Sequence, residues 1–100
     1  MLTERQETIL ANLIRTYIHT AEPVASADLA SALAQSEDRE VESHFSSPTI
    51  RNEFRALDKL GYLHQPHTAA GRVPTNKGYR YFIDELMEPA ELDRYAAHRV

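Results

Sequence analysis

Residues Ser46–Leu63 read SSPTIRNEFRALDKLGYL, a stretch with three basic and two acidic residues in a chain whose formal net charge is −4. Ser46 or Ser47 supplies an N-cap hydroxyl, and Pro48 falls in a first helical turn, where its missing N–H matters little. Ile50, Phe54, Leu57 and Leu60 recur at helical spacing on one side, while Arg51, Asn52, Arg55 and Lys59 gather on the other. Gly61 stands where a helix would be expected to end. The spacing predicts a helix held down by four apolar residues and presenting a polar, largely basic face outward. That geometry suits insertion into the major groove of a duplex, which is wide enough to admit one helix.

The charge of the whole chain hides this. From Ser43 to Ile83 the sequence holds Arg51, Arg55, Lys59, Arg72, Lys77 and Arg80 against Glu53 and Asp58, a local balance of +4. The remainder has five basic and thirteen acidic residues, a balance of −8, and sets the overall pI near 5.7. Such asymmetry is the electrostatic footprint of a domain that meets a polyanion. One hundred residues, 42% apolar and 26% charged, are enough for one small domain with its own core. Without cysteine, disulfides and thiolate metal sites are excluded. The opening MLTERQETIL is charged where a secretory signal needs an apolar run, and no stretch could span a bilayer. A soluble, cytoplasmic protein is expected.

Upstream, Thr3 and Gln6 form a capping box ahead of a helix whose stripe is Ile9, Leu10, Leu13, Ile14, Tyr17 and Ile18. Pro23 ends that helix, and Pro23-Val24-Ala25 is a candidate short strand. Ser26 is the expected cap of a second helix with Leu29, Ala30 and Leu33 on one face. The acidic QSEDREVESHF that follows, with Glu37, Asp38, Glu40 and Glu42, reads as a loop or a helical extension. Downstream of the quoted stretch, 62–65 and 72–74 flank the turn PHTAAG as a hairpin with a long loop. Thr75 caps a last helix with Tyr79, Phe82, Ile83, Leu86 and Met87 toward the core, and Pro89 stops it. Residues 1–88 are thus one domain, and 89–100 are a linker or the start of a further helix.

Helix, helix, basic helix, hairpin, helix is the order of a winged helix-turn-helix: α+β, mainly α, a three-helix core with a β-hairpin wing and a C-terminal helix. Over roughly residues 2–87 the wording also resembles the DNA-binding domain of the HrcA family, the heat-inducible transcription repressors of bacteria. The most specific pieces are TIRNE, LGYLHQPHTAAGR and PTNKGYRYF, in that order. The resemblance implies a stress-response repressor that binds an inverted-repeat operator upstream of chaperone genes as a homodimer at the bacterial nucleoid, with a chaperonin modulating it. The chain departs from the family pattern twice. QSEDREVESHF is several residues longer than usual and acidic, so it is expected to point away from the duplex. Members also carry a larger C-terminal region, so the chain reads as an excised domain or a stand-alone relative.

Arg51 and Asn52 are the expected base readers, because Arg bridges guanine O6 and N7 and Asn bridges adenine N6 and N7. Thr49 and Arg55 join them on the same helix. Ser46 and Ser47, at the helix N-terminus, and Lys59 are expected on phosphate. In the wing, His67, Thr68, Gly71 and Arg72 form the tip, with Arg72 suited to the negative minor groove. Gly71 permits a close backbone approach or a left-handed turn. Lys77 and Arg80 open the last helix and are candidate phosphate contacts; Tyr79 and Tyr81 are expected in core and rim. Dimer contacts are expected from Tyr79–Met87 or Leu92–Val100.

Other chemistries lack support. His64 and His67 have no third ligand at zinc spacing. His44, Ser46 and Asp58 sit near no nucleophile elbow, and no glycine loop cradles phosphate. Neither a metal, a cofactor nor an enzymatic activity is expected. The competing reading is a winged helix turned protein-interaction module, motivated by the acidic insertion and the low pI.

Overall fold

The computed structural model describes residues 1–35, 45–68, 70–91 and 93. The acidic Glu37–Glu42 segment, His44 and, apart from Asp93, the tail Leu92–Val100 lie outside them. Helix α1 (Glu4–Thr20) starts on the expected capping box: Thr3 Oγ1 accepts from the Gln6 N–H at 3.1 Å, and Gln6 Oε1 accepts from the Thr3 N–H at 3.0 Å. It buries Ile9, Leu10, Ala11, Leu13 and Ile14, with Tyr17 half-buried against the same core. Ile18 does not join them and is 39% exposed. At 3.6 residues per turn it falls roughly 100° from the centre of the stripe, at its edge in the last turn of the helix. Ala21 takes a left-handed φ of 57° and closes the helix on the Tyr17 carbonyl at 2.7 Å, two residues before Pro23.

Val24 and Arg72 exchange both backbone hydrogen bonds at 2.9 Å, so the strand expected around Pro23-Val24-Ala25 is one antiparallel bridge. The bridge also decides where α2 (Ser26–Ala34) begins. Ala25, still extended, holds the N-cap position with no side-chain bond, and Ser26 lies inside the first turn rather than capping it. Leu29 and Leu33 are buried and Ala30 is half-buried, as their spacing requires.

Helix α3 (Ser47–Lys59) is capped by Ser46, whose Oγ accepts from the Thr49 N–H at 3.3 Å, with Pro48 in the first turn. Ile50, Phe54 and Leu57 are essentially sealed from solvent, each worth about 1.5–3 kcal/mol of apolar burial. Leu60 is 47% exposed. It sits roughly 90° off the line of the other three, at the cap position where the helix stops. Gly61, with φ 89°, ends the helix as expected: its N–H meets the Asp58 carbonyl at 3.0 Å and the Tyr62 N–H meets Leu57 at 2.9 Å, the paired bonds of a Schellman turn.

Strands β1 (Leu63–His64) and β2 (Val73–Pro74) pair antiparallel with Leu63 opposite Pro74 and His64 opposite Val73, so Arg72 carries the ladder on to Val24. Thr75 then caps α4 (Asn76–Tyr81), accepting from the Gly78 N–H at 3.1 Å. The expected single last helix changes winding. Phe82–Leu86 is a π-helical turn closed by the Met87 N–H on the Phe82 carbonyl at 2.6 Å. Ile83, expected inside, is 51% exposed, one helical step round from the fully buried Phe82. Met87 is extended, and Pro89 opens a further helical turn reaching Glu91. Among the described residues no helix is long and apolar enough to cross a membrane.

Candidate nucleic-acid interface

The outward side of α3 is built by subtraction. Its inner side is fixed by Ile50, Phe54 and Leu57 against α1 and α2, so the remaining arc must face solvent. Arg51, Asn52, Arg55 and Lys59 are all exposed on it. None of their side chains forms a hydrogen bond or ion pair with another described residue. The nearest carboxylate in sequence, Glu53, turns instead toward Arg5 at 3.9 Å. Three cations and an amide are therefore exposed together on the outer side of α3.

The N-terminal end is more self-contained than the sequence implies. The Ser46 and Thr49 hydroxyls lie 2.9 Å apart, and Ser47 Oγ lies 3.3 Å from Ser26 Oγ on α2. Thr49 is half-buried and occupied with the cap, while Ser46 remains exposed.

The wing is a closed loop whose clasp is Gln65, a residue the sequence reading passed over. Its Nε2 donates to the carbonyls of Thr68 at 3.0 Å and Ala70 at 2.9 Å, and Ala70 N–H bonds His67 O at 3.0 Å. A glutamine directly before the loop has the two donors such a clasp needs, but the sequence does not say which carbonyls curl within reach. His67 and Thr68 end up exposed at the tip, as expected.

Three expected contacts are relocated. Gly71 is not at the tip: a Cβ there would lie 2.3 Å from the Val24 carbonyl carbon and oxygen, so its bareness serves the Val24–Arg72 bridge. Arg72 does not extend toward a minor groove either. Its side chain is 13% exposed, folded back so that Nε lies 3.2 Å from Asp58 Oδ2 on α3. Lys77, though exposed, donates from Nζ to the Leu60 carbonyl at 2.7 Å and covers the Tyr62 ring at 4.5 Å, so it braces α3 from behind. Arg80 is exposed with no ion pair among the described residues. Tyr79 is half-buried, its phenol held above its ordinary pKa by burial and by Tyr17. Tyr81 sits at the rim, where its O–H donates to the Glu7 carboxylate at 2.6 Å, a bond that helps push its pKa to about 12.

A cleft of about 280 Å³ opens between α3, the start of α2 and the base of the wing, with Arg51, Arg55 and Arg72 on its walls. An exposed basic helix, a hairpin wing and a cleft lined by arginines on one surface define a winged helix-turn-helix. The family described as winged helix-turn-helix transcription repressor, HrcA DNA-binding, matches residues 1–87, and the chain belongs to it. It is 47% identical over 93 residues to the heat-inducible transcription repressor HrcA of Brevibacillus brevis, covering 93% of this chain and 25% of that protein. With the HrcA of Acetivibrio thermocellus it shares 50% identity over 91 residues, 91% of this chain and 24% of the relative. A crystal structure of a hypothetical protein superposes with a TM-score of 0.69 at 43% identity, over 84% of this chain and 24% of that one. The chain spans about a quarter of the length of these relatives.

Proposed function

We propose that the chain is the operator-reading part of a heat-inducible repressor, binding duplex DNA with α3 in the major groove and the wing against the flanking backbone. The observation that carries this is the exposed set Arg51, Asn52 and Arg55, unpartnered among the described residues, on the outer face of a helix whose inner face is fully buried. Arg51 and Asn52 read base edges, Arg55 reads base or backbone, and Lys59 meets phosphate. A single recognition helix covers few base pairs. A homodimer on an inverted repeat, with half-sites one helical turn apart (~34–36 Å) or a multiple of it, supplies the missing specificity. Such a repressor works in the cytoplasm at the nucleoid, with a chaperonin as a further partner under this reading.

Selection of bound duplexes from a random pool tests the reading and yields the site. A palindromic consensus is expected. Arg51→Ala or Asn52→Ala then costs roughly 1–3 kcal/mol at one base pair and relaxes preference there. Enrichment of no sequence, or unchanged binding by Arg51→Ala, would overturn it.

A further inference from the structure

Arg72 is held in an unusual way for a side chain so close to a cationic surface. Its backbone is locked by both hydrogen bonds to Val24, yet its guanidinium, with five donors, makes no hydrogen bond to any described residue. Nε is shielded from solvent without a hydrogen-bond partner. Asp58 stands at ion-pair distance, 3.2 Å, but off the N–H direction. Beside this loose pair lies the cleft, whose other walls carry Arg51, Arg55, Ser26 and the Gln65 clasp. Three arginines line it, and among the described residues only Arg72 of the three has a carboxylate within 4.0 Å.

We infer that this cleft seats a backbone phosphate of the bound duplex, and that Asp58 is a place-holder which occupies Arg72 until that phosphate arrives. The inference rests on the DNA-binding reading and deepens it. A phosphate offers Arg72 a bidentate partner that Asp58, poorly aligned, does not. The swap needs only side-chain rotation, because the backbone at Arg72 is fixed by Val24. Asp58 thereby keeps three like charges from crowding the empty cleft and lowers the affinity for any polyanion.

The test uses the chain itself and a labelled random-sequence duplex, which reads phosphate contacts irrespective of the operator. Asp58→Asn should tighten binding about two- to fivefold, the worth of a partly exposed ion pair no longer opposed. Arg72→Gln should weaken binding and flatten the slope of log K against log salt by roughly 0.9, one phosphate contact. In the Arg72→Gln background Asp58→Asn should add nothing. Should the gain persist there, Asp58 acts by general repulsion and the inference fails. It fails equally if Asp58→Asn weakens binding, because the pair then positions the wing. The Arg72 Nε–H resonance of the wild-type chain gives a check needing no variant, since it must shift when duplex is added. No binding by the wild-type chain at low salt would instead remove the DNA-binding reading itself.

Discussion

Lys77 and Leu60 are joined across the back of α3, the Lys77 ammonium donating to the Leu60 carbonyl at 2.7 Å. The next two carbonyls are also taken: Gly61 by the Thr75 hydroxyl at 2.6 Å, and Tyr62 by the Thr75 N–H at 3.1 Å. A helix leaves its last carbonyls without partners and carries partial negative charge at that end. The segment Pro74–Gly78 answers both needs, so its place in the fold is to brace α3. Lys77→Ala should therefore lower stability by about 0.5–1 kcal/mol. Its salt slope of duplex binding should stay that of the wild type. A slope flatter by about 0.9 would return Lys77 to the phosphate contacts.

Gly78 and Gly71 should resist alanine for a shared reason. A Cβ on Gly78 would stand 2.3 Å from the Tyr62 carbonyl oxygen, and one on Gly71 would meet Val24 at 2.3 Å. Both obstacles are backbone, which cannot swing aside. In an open helix, Gly→Ala would gain about 1 kcal/mol. Here each replacement should cost about 2–4 kcal/mol, the size of other backbone-displacing changes. Thermal unfolding followed by circular dichroism reads this directly, and an unchanged midpoint for Gly78→Ala would contradict the close contact.

Elements set by local chemistry were legible in advance. Thr3 with Gln6, Ser46 with Pro48, Thr75, and Gly61 each declare a helix end through hydrogen bonds confined to a few neighbours. The periodicity of Ile50, Phe54 and Leu57 likewise declares which side of α3 is buried. Long-range pairing was not legible. Ser26 looks like a cap until Val24 is known to bridge Arg72. Arg72 and Lys77 look like free cations because Asp58 and Leu60 lie 14 and 17 residues away along the chain. Ile83 is misplaced because spacing alone does not say which of the adjacent Phe82 and Ile83 faces the core.

The Tyr81–Glu7 bond gives a pH signature. Hydrogen bonding to Glu7, then burial, then the charges of Glu7 and Glu85 hold the Tyr81 proton, raising its pKa from 10.0 to about 12. Between those values the folded chain keeps a proton that the unfolded chain has lost. Stability from this bond is therefore complete below about pH 10 and declines as pH climbs toward 12. Tyrosinate absorbance should show Tyr81 titrating late along with Tyr79, and Glu7→Gln should bring Tyr81 alone back toward the ordinary value. Titration of Tyr81 unaffected by Glu7→Gln would rule out the carboxylate as the cause.

Arg15 and Glu91 fasten the turn beyond Pro89 to α1. Nε donates to Oε2 at 2.8 Å and Nη2 to Oε1 at 2.7 Å, while Glu91 Oε1 also accepts the Glu88 N–H at 3.3 Å. The two sides are unequally exposed, at 35% for the Arg15 side chain and 8% for Glu91. Losing the cation takes both guanidinium bonds from a carboxylate only 8% exposed, whereas losing the carboxylate leaves a guanidinium that can still reach water and the Phe82 ring 5.6 Å away. Arg15→Met should therefore destabilise more than Glu91→Gln. About 1–3 kcal/mol is expected for Arg15→Met, less than for a fully buried pair because water reaches the arginine. The double variant should recover part of that loss. A chain ending at Glu88 should lose the same brace and melt earlier than one extending past Glu91. Equal melting of the two lengths would show that the turn beyond Pro89 contributes nothing to the domain.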